Sequence, residues 1–492
     1  MAELRKIAVA PGIVWVEAPD ADLRVLCGCP GDAVKHLMHQ GMISEVRRDG
    51  VLFETGPNAI LLSDVAMQNG VFCNLAEFPV LQMLYRQGTF LPGHPNNSGR
   101  RPLLIGRADH VASQLQYIHR GNYGLSSDRE LIGAGVSPDL ARDLMACKLH
   151  FAFGRIRHPR ELLDARELGA RPVILRGGVA LRRLEPNRFE FRHNGGRVEV
   201  DLSIAPGESC PPPYSLGLRK IERDCFSVVH SGGGDGWDPD RPSMASVVIF
   251  HGKVYLVDAG PNVLYSLQAL GIGRDEIDGL FHTHCHDDHF AGLISLLDRE
   301  KPLRYFATPL VRASVMKKLA ALLARPEDEV QRLFDRNDLA FDRWTDVDGL
   351  EVKALLSPHP VETSVLLFRA MWQGRYRSYA HFADIVSLQV LRDMVDGAGG
   401  AGGLSRAFYD KVVEDYATEA DVKKIDIGGG LIHGSAADFR YDRSRKLVLA
   451  HVARPLSPAE RGVGCEMPFG AVDVMIPGAC RCGDAPAASC PA

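Results

Sequence analysis

No stretch of the 492-residue chain reaches the roughly 18 uncharged apolar residues that a membrane-spanning helix needs. The apolar start, MAELRKIAVAPGIVWVEAPD, is broken at Pro11, runs into acids and lacks a leader-cleavage pattern, so a soluble cytoplasmic protein is expected. The formal net charge is only −4, so no global basic field points to nucleic acid, and the arginine-rich stretches at 154–162 and 179–192 read as solvated faces. The eleven cysteines are odd in number and scattered, which excludes a disulfide framework. The Cys27/Cys29 pair and the Cys480, Cys482, Cys490 group lack the spaced partner pair of a zinc finger. No internal repeat is evident, and the one glycine-dense run, DGAGGAGG at 396–403, reads as a loop.

What is present is length and apolar content enough for two domains: 46% of the residues are hydrophobic. The proline cluster in APGESCPPPYS (205–215) marks a boundary between a domain over 1–205 and one over 215–477, with 478–492 as a tail without structure. The first domain reads as mixed α and β. Strands are expected at 12–18 and 22–29, helices at 30–43 and in ADHVASQLQYIHRG and SPDLARDLMACKLHFAFG, and hairpins in PVILRGGVALRRLE and RFEFRHNGGRVEVDLSI. Its role does not follow from its residues. Beyond the boundary, strand-like and helix-like segments alternate, which argues α/β.

One segment stands apart. In FHTHCHDDHF (281–290) four histidines and two aspartates follow a short apolar strand, at a strand exit where α/β folds place their sites. His284 and His286 alternate across Cys285, so both rings can face one point. Asp288 and His289 lie at the turn into a helix expected near Phe290 and can face a second point, about 3.5–4 Å away. Imidazole with carboxylate suits zinc, and also iron or manganese.

The run Thr283-His284-Cys285-His286-Asp287-Asp288-His289, with Gly292 after it, resembles the T-H-x-H-x-D-H signature of the metallo-β-lactamase superfamily. The resemblance covers about 215–477 and implies a four-layer αββα sandwich, with the N-terminal mixed α/β domain as an addition. It implies two divalent metal ions, most simply zinc. His284, His286, His359 and Asp384 would hold the first, and Asp288, His289, Asp384 and His451 the second, Asp384 bridging them. His359 lies in a proline-flanked turn, SPHPVE, before a strand. Asp384 ends a hairpin in AHFAD, where the family usually has Gly-Asp and this chain has Ala383. His451 follows KLVLA; His433, in GGGLIHG, competes with it and is otherwise expected to touch substrate, with Gly434 where related members carry an acid. Asp258, in VYLVDAG, Thr283 and His381 are expected to orient ligands.

The resemblance further implies hydrolysis by attack of a metal-bridging hydroxide, with Asp288 able to shuttle a proton. Oxygen-reducing diiron members carry glutamate where this chain has His286, which favours hydrolysis. GLIHG and LAHVARPLS look like the ribonuclease Z and phosphodiesterase branch. The expected substrate is therefore a small phosphodiester or cyclic nucleotide, with no membrane partner and self-association left open. A carboxylic ester, thioester or lactone hydrolase is the alternative reading, and a metal-binding sensor or scaffold without turnover is a third.

Overall fold

In the computed structural model, residues 4–297, 302–397 and 403–478 are described. The tail from 479 onward, with Cys480, Cys482 and Cys490, and most of the glycine loop, 398–402, lie outside the described residues. Among the described residues no helix is long and apolar enough to cross a membrane. The chain packs as two compact units. Unit 1 comprises Met1–Asn122, Arg157–Ser215 and Lys318–Pro326; unit 2 comprises Tyr123–Ile156, Leu216–Lys317 and Glu327–Ala492. One junction lies at Ser215/Leu216, beside the proline cluster. The units are not continuous in sequence, however, because the helical segment 123–156 groups with unit 2 and 318–326 with unit 1.

Unit 2 is an αββα sandwich. Its first sheet has seven strands in the order Phe334–Asp338, Leu303–Ala307, Ile277–Phe281, Lys253–Val257, Ala245–Phe250, Phe226–Gly232, Val472–Ile476. The second has six: Trp344–Val347, Leu350–Ser357, Thr363–Trp372, Arg375–Phe382, Val422–Asp426, Leu447–Ala450. Central strands such as Phe226–Gly232 are buried along their whole length, which is why they read as near-continuous apolar runs. Tyr255, Phe281 and Phe306 of the first sheet meet Leu366, Phe368 and Tyr379 of the second in one core, with Phe281 edge-on to Phe368 at 5.1 Å. On the far face of the second sheet, Leu367, Ala380 and Ile425 pack under helices Pro138–Phe151, Leu388–Val395 and Arg406–Tyr416. Ser137, Ser387 and Ser405 cap these helices by accepting a backbone N–H of the first turn. The helix expected near Phe290 is a single turn, Asp287–Phe290, that begins inside the histidine cluster.

Unit 1 has two sheets around one core, and two two-stranded ribbons, Glu45–Arg48 with Val51–Glu54 and Met67–Gln68 with Val71–Phe72. The first sheet runs Arg5–Ala10, Ile13–Ala18, Leu23–Cys27, Ala59–Leu61, Leu103–Gly106, Asp164–Glu167; its first three strands are antiparallel and the rest join in parallel. Six strands of the first sheet of unit 2, from Phe226–Gly232 to Phe334–Asp338, have the same order and the same senses. The second sheet of unit 1, Val173–Ile174, Ala180–Glu185, Arg188–His193, Gly196–Asp201, is an antiparallel meander like the four strands from Trp344 to Phe382. A repeat is thus present in the topology although none is visible in the residues.

Candidate metal centre

The cluster sits where the parallel strands of unit 2 end. Strand Ile277–Phe281 stops, and its neighbour's exit turn, Asp258–Gly260, is stitched to the cluster loop: Asp258 N donates to Phe281 O (2.9 Å), Ala259 N to His289 O (2.8 Å) and Gly292 N to Ala259 O (2.8 Å). The small residue at 292 has a steric reason, since a Cβ there would lie 2.2 Å from Gly260 O. Asp258, Asp384 and His451 all adopt left-handed backbone, with φ of +67°, +39° and +59°. Such conformations are costly for non-glycine residues and concentrate at functional sites. At Asp384 the turn is held by Ser357 Oγ, which donates to the Asp384 carbonyl at 2.9 Å; Ala383, where the family has glycine, is fully buried.

His284, His286, Asp288, His289, His359, Asp384 and His451, the seven residues expected as ligands, converge. His284 Nε2 and His359 Nε2 lie 3.4 and 3.5 Å from Asp384 Oδ2, and His359 Nε2 lies 3.1 Å from His286 Nδ1. On the other side of the same carboxylate, His289 Nε2 and His451 Nε2 lie 3.1 and 3.4 Å from Asp384 Oδ1; they lie 3.4 and 3.1 Å from Asp288 Oδ2. Four donors placed tetrahedrally at about 2.0–2.1 Å from one ion stand about 3.3 Å apart. The donor pairs above, at 3.1–3.5 Å, match that spacing, and Asp384 offers one oxygen to each quartet. His284 Nε2, His289 Nε2 and Asp384 Oδ1 are buried without a hydrogen-bond partner, the condition expected of atoms whose lone pairs point at a cation.

The remaining ring nitrogens are fixed from behind. Asp258 Oδ2 accepts His289 Nδ1 at 2.8 Å and Thr283 Oγ1 at 2.7 Å, and Asp258 Oδ1 accepts Thr283 N at 2.8 Å. With its proton committed to Asp258, the Thr283 hydroxyl accepts from His284 Nδ1 at 3.0 Å, which leaves the His284 Nε2 lone pair free to ligate. His359 Nδ1 donates to Ile432 O at 3.0 Å with the same consequence. Asp258 and Thr283 thus stand where ligand orientation was expected. His381 does not bond a ligand residue: its Nδ1 pairs with Tyr379 Oη at 2.8 Å, beneath the site in the sheet interface.

Two features have no counterpart in the sequence reading. Asp426, fully buried at the end of strand Val422–Asp426, accepts His433 Nδ1 (3.1 Å) and Ile385 N (3.1 Å), and lies 3.5 Å from His451 Nδ1. It groups with Asp384, His433 and His451 as one of the sets able to hold a cation, beside His284, His286, His359 and Asp384 and beside His284, Asp288 and His289. The acid closing KKID is the signal that could have found it. Gly434 cannot be the acid of related chains without a shift, since a Cβ there would lie 2.4 Å from Asp426 O. The second feature is the buried pair Lys148–Glu362 at 2.7 Å; Lys148 Nζ also donates to Pro360 O at 2.9 Å and so clamps the turn that carries His359. A lysine on an amphipathic helix carries no sequence signal for this.

The field of the carboxylates dominates the electrostatics. Burial disfavours a charged ring at His451, yet Asp384, Asp426 and Asp288 outweigh it and raise its pKa to about 10. Burial is likewise overcome at His289, held well above the usual histidine range by Asp288, Asp384 and Asp258. Burial would also push Asp384 up, but His451, His284 and His289 hold it well below the ordinary carboxylate range. At His359 burial wins and keeps the ring neutral. At His433 burial is opposed by Asp426, which raises the pKa. The His433 side chain is one-fifth exposed, against no more than 5% for His284, His289, His359 and His451.

Residues 238–366 match the family model of the Metallo-beta-lactamase superfamily. The matched segment contains the cluster at 283–289 together with His359. The relatives the chain matches include ribonucleases Z and cyclic-nucleotide phosphodiesterases. It is 23% identical over 199 residues to the cGMP-dependent 3',5'-cGMP phosphodiesterase A of Dictyostelium discoideum, covering 39% of this chain and 23% of that one. It is 28% identical over 185 residues to ribonuclease Z of Mycobacterium marinum, covering 33% of this chain and 63% of that one. The chain therefore spans under two thirds of the length of these relatives. Among solved structures, the short form of human tRNase Z aligns with a TM-score of 0.35 and 18% identity, over 51% of this chain and 99% of that one. That likeness is too loose to bear on the fold by itself.

Proposed function

We propose that unit 2 is a metal-dependent phosphodiesterase that holds two divalent cations, zinc in the first instance, and hydrolyses a small phosphodiester or a cyclic nucleotide. The observation that carries this reading is the sharing of one carboxylate, Asp384, between two donor quartets of tetrahedral spacing. The phosphodiester class is supported by the names of the matched relatives, ribonuclease Z and cyclic-nucleotide phosphodiesterase. Divalent cations bound there supply Lewis-acid activation of water and neutralise charge on a phosphoryl oxygen.

The chain's own residues do the rest. Asp258 and Thr283 fix the rings of His289 and His284, so the site needs no reorganisation when charge develops. Asp288, paired at Oδ2 with His451 Nε2, can take a proton from the attacking water. His433, whose side chain is one-fifth exposed and whose pKa is raised by Asp426 against its burial, can deliver a proton to the leaving oxygen. Residues 215–477 would thus be the catalytic domain. Purified chain should cleave bis(p-nitrophenyl) phosphate and lose that activity on chelation. Cleavage of p-nitrophenyl acetate alone would favour the carboxylic-ester reading, and neither reaction with metal retained would favour a sensor.

A further inference from the structure

The two units share more than strand order; their backbone bonds coincide. Gly28 N donates to Leu61 O at 2.8 Å as Asp258 N does to Phe281 O at 2.9 Å. Leu62 N donates to Ile105 O at 2.8 Å as His282 N does to Phe306 O at 3.0 Å. Leu168 N donates to Gly106 O at 2.7 Å as Leu339 N does to Ala307 O at 2.9 Å. Asp32 and Asn262, with φ of +60° and +58°, open seven-residue helices, Ala33–His39 and Val263–Ala269, at the same remove from their strands.

These pairings fix which residues of unit 1 stand where unit 2 has its cluster. Counting on from Leu61 as from Phe281, Asp64 stands for His284 and Ala66 for His286; a ribbon, Met67–Gln68 with Val71–Phe72, then replaces the helical turn Asp287–Phe290, and Cys73, whose carbonyl accepts Cys29 N at 3.1 Å as that of His289 accepts Ala259 N, stands for His289. Gly28 stands for Asp258. The turn between Ala180–Glu185 and Arg188–His193, with Asn187, takes the place of the connection carrying His359. The chain after Gly196–Asp201 takes the place of Asp384. Among the described residues, unit 1 has no counterparts of the strands that present Asp426 and His451.

An alanine, one carboxylate and one thiol do not complete a zinc site, and here the polar groups are committed elsewhere: Gln68 Nε2 donates to Cys73 Sγ at 3.1 Å. Asn187 Oδ1 accepts Ser63 Oγ and Asp64 N, both at 2.8 Å. Asp64 Oδ2 accepts Arg183 Nε at 2.7 Å and Asn187 N at 3.0 Å. Gln68 Nε2 donates to Leu202 O at 3.0 Å, and Ile204 N donates to Gln68 Oε1 at 2.9 Å. Each bond ties together two elements that, in unit 2, would meet across a cation. Where the unit 2 cluster leaves lone pairs without partners, this one satisfies its polar atoms internally.

We infer that unit 1 is a second, truncated copy of the same sandwich in which a hydrogen-bonded plug replaces the metal centre, so that it holds no cation and turns over no substrate. This inference concerns unit 1 alone and stands apart from the hydrolase reading of unit 2.

The test uses the full chain, dialysed against zinc, with elemental analysis and thermal melts of Asn187→Ala and Gln68→Ala beside the unmodified protein. The expected result is an unchanged zinc content in both variants. The melting midpoint of unit 1 should fall by on the order of 5 °C in Asn187→Ala, which leaves the buried Asp64 amide without its acceptor. A zinc content lowered by either substitution would overturn the inference, as would an unchanged midpoint in Asn187→Ala. Should that variant not fold, Gln68→Ala, partly exposed, gives the same two readings. Should the unmodified chain bind no zinc, the hydrolase reading fails, and the melts alone decide this inference.

Discussion

The same strand order ends in two different ways. At the exit of the parallel strands in unit 2, buried carboxylates and imidazoles face one another with unpartnered nitrogens and a raised pKa at His289 and His451. At the corresponding exit in unit 1, Asp64 and Asn187 bond each other's backbone amides, and Gln68 bonds Leu202 O and Ile204 N. The difference teaches how a metal site is told from a polar core. Both are buried and polar, and both knit a strand exit to a distant turn. Only the first groups donors that can hold a cation and that otherwise repel or compete for protons; in the second the donors bond within the protein.

The largest effect that would break this contrast is expected at Asp384. Replacing it with alanine removes the one carboxylate common to both quartets, and kcat/KM for a phosphodiester should fall by ~10³-fold or more. Retained turnover in Asp384→Ala would remove the basis for a shared centre. His433→Ala should lower kcat by about 10²-fold with little change in KM and should flatten the alkaline limb of the pH–rate profile, since the ring acts as an acid. An unchanged limb would leave His433 without a chemical role.

Asp258→Asn keeps the shape but not the charge behind His289. A loss of about 10–100-fold in zinc affinity, read by competition with a chelating dye, is expected. The smallest effect concerns pH. Without metal, His451 has its pKa raised to about 10, above an unfolded value of about 6.5. Its stabilising contribution is therefore fully present below about pH 6.5 and lost as pH rises through about 10. The urea midpoint of chelated protein should decline over that window, while zinc affinity should rise with pH as His289 and His451 give up protons to the metal. A flat urea midpoint would mean that the carboxylates do not hold these rings charged.

Much of unit 2 was legible in the residues. His284, His286, Asp288 and His289 declare themselves because metal ligation forces rare residue types into a short spacing, and His359, Asp384 and His451 each follow or precede a recognisable strand. Asp426 was not legible, because a lone acid after a strand is common and only the fold brings it to 3.1 Å from His433. The Lys148–Glu362 pair was not legible because its partners are far apart in the chain. The doubling of the sandwich escaped notice for a different reason. Strand order is set by burial pattern and backbone bonding, which many side chains satisfy, so Cys27 and Val257 or Leu61 and Phe281 can occupy one place with no shared identity. The expected boundary near 205–215 likewise reflects composition, which cannot show that 123–156 packs with unit 2.

The most direct measurement of the central claim is the metal content of the purified full chain by elemental analysis, beside Asp384→Ala. The account predicts two divalent ions per chain in the unmodified protein and loss of both in the variant. A chain that retains two ions after losing Asp384, or one that hydrolyses phosphodiesters while free of metal, would contradict it.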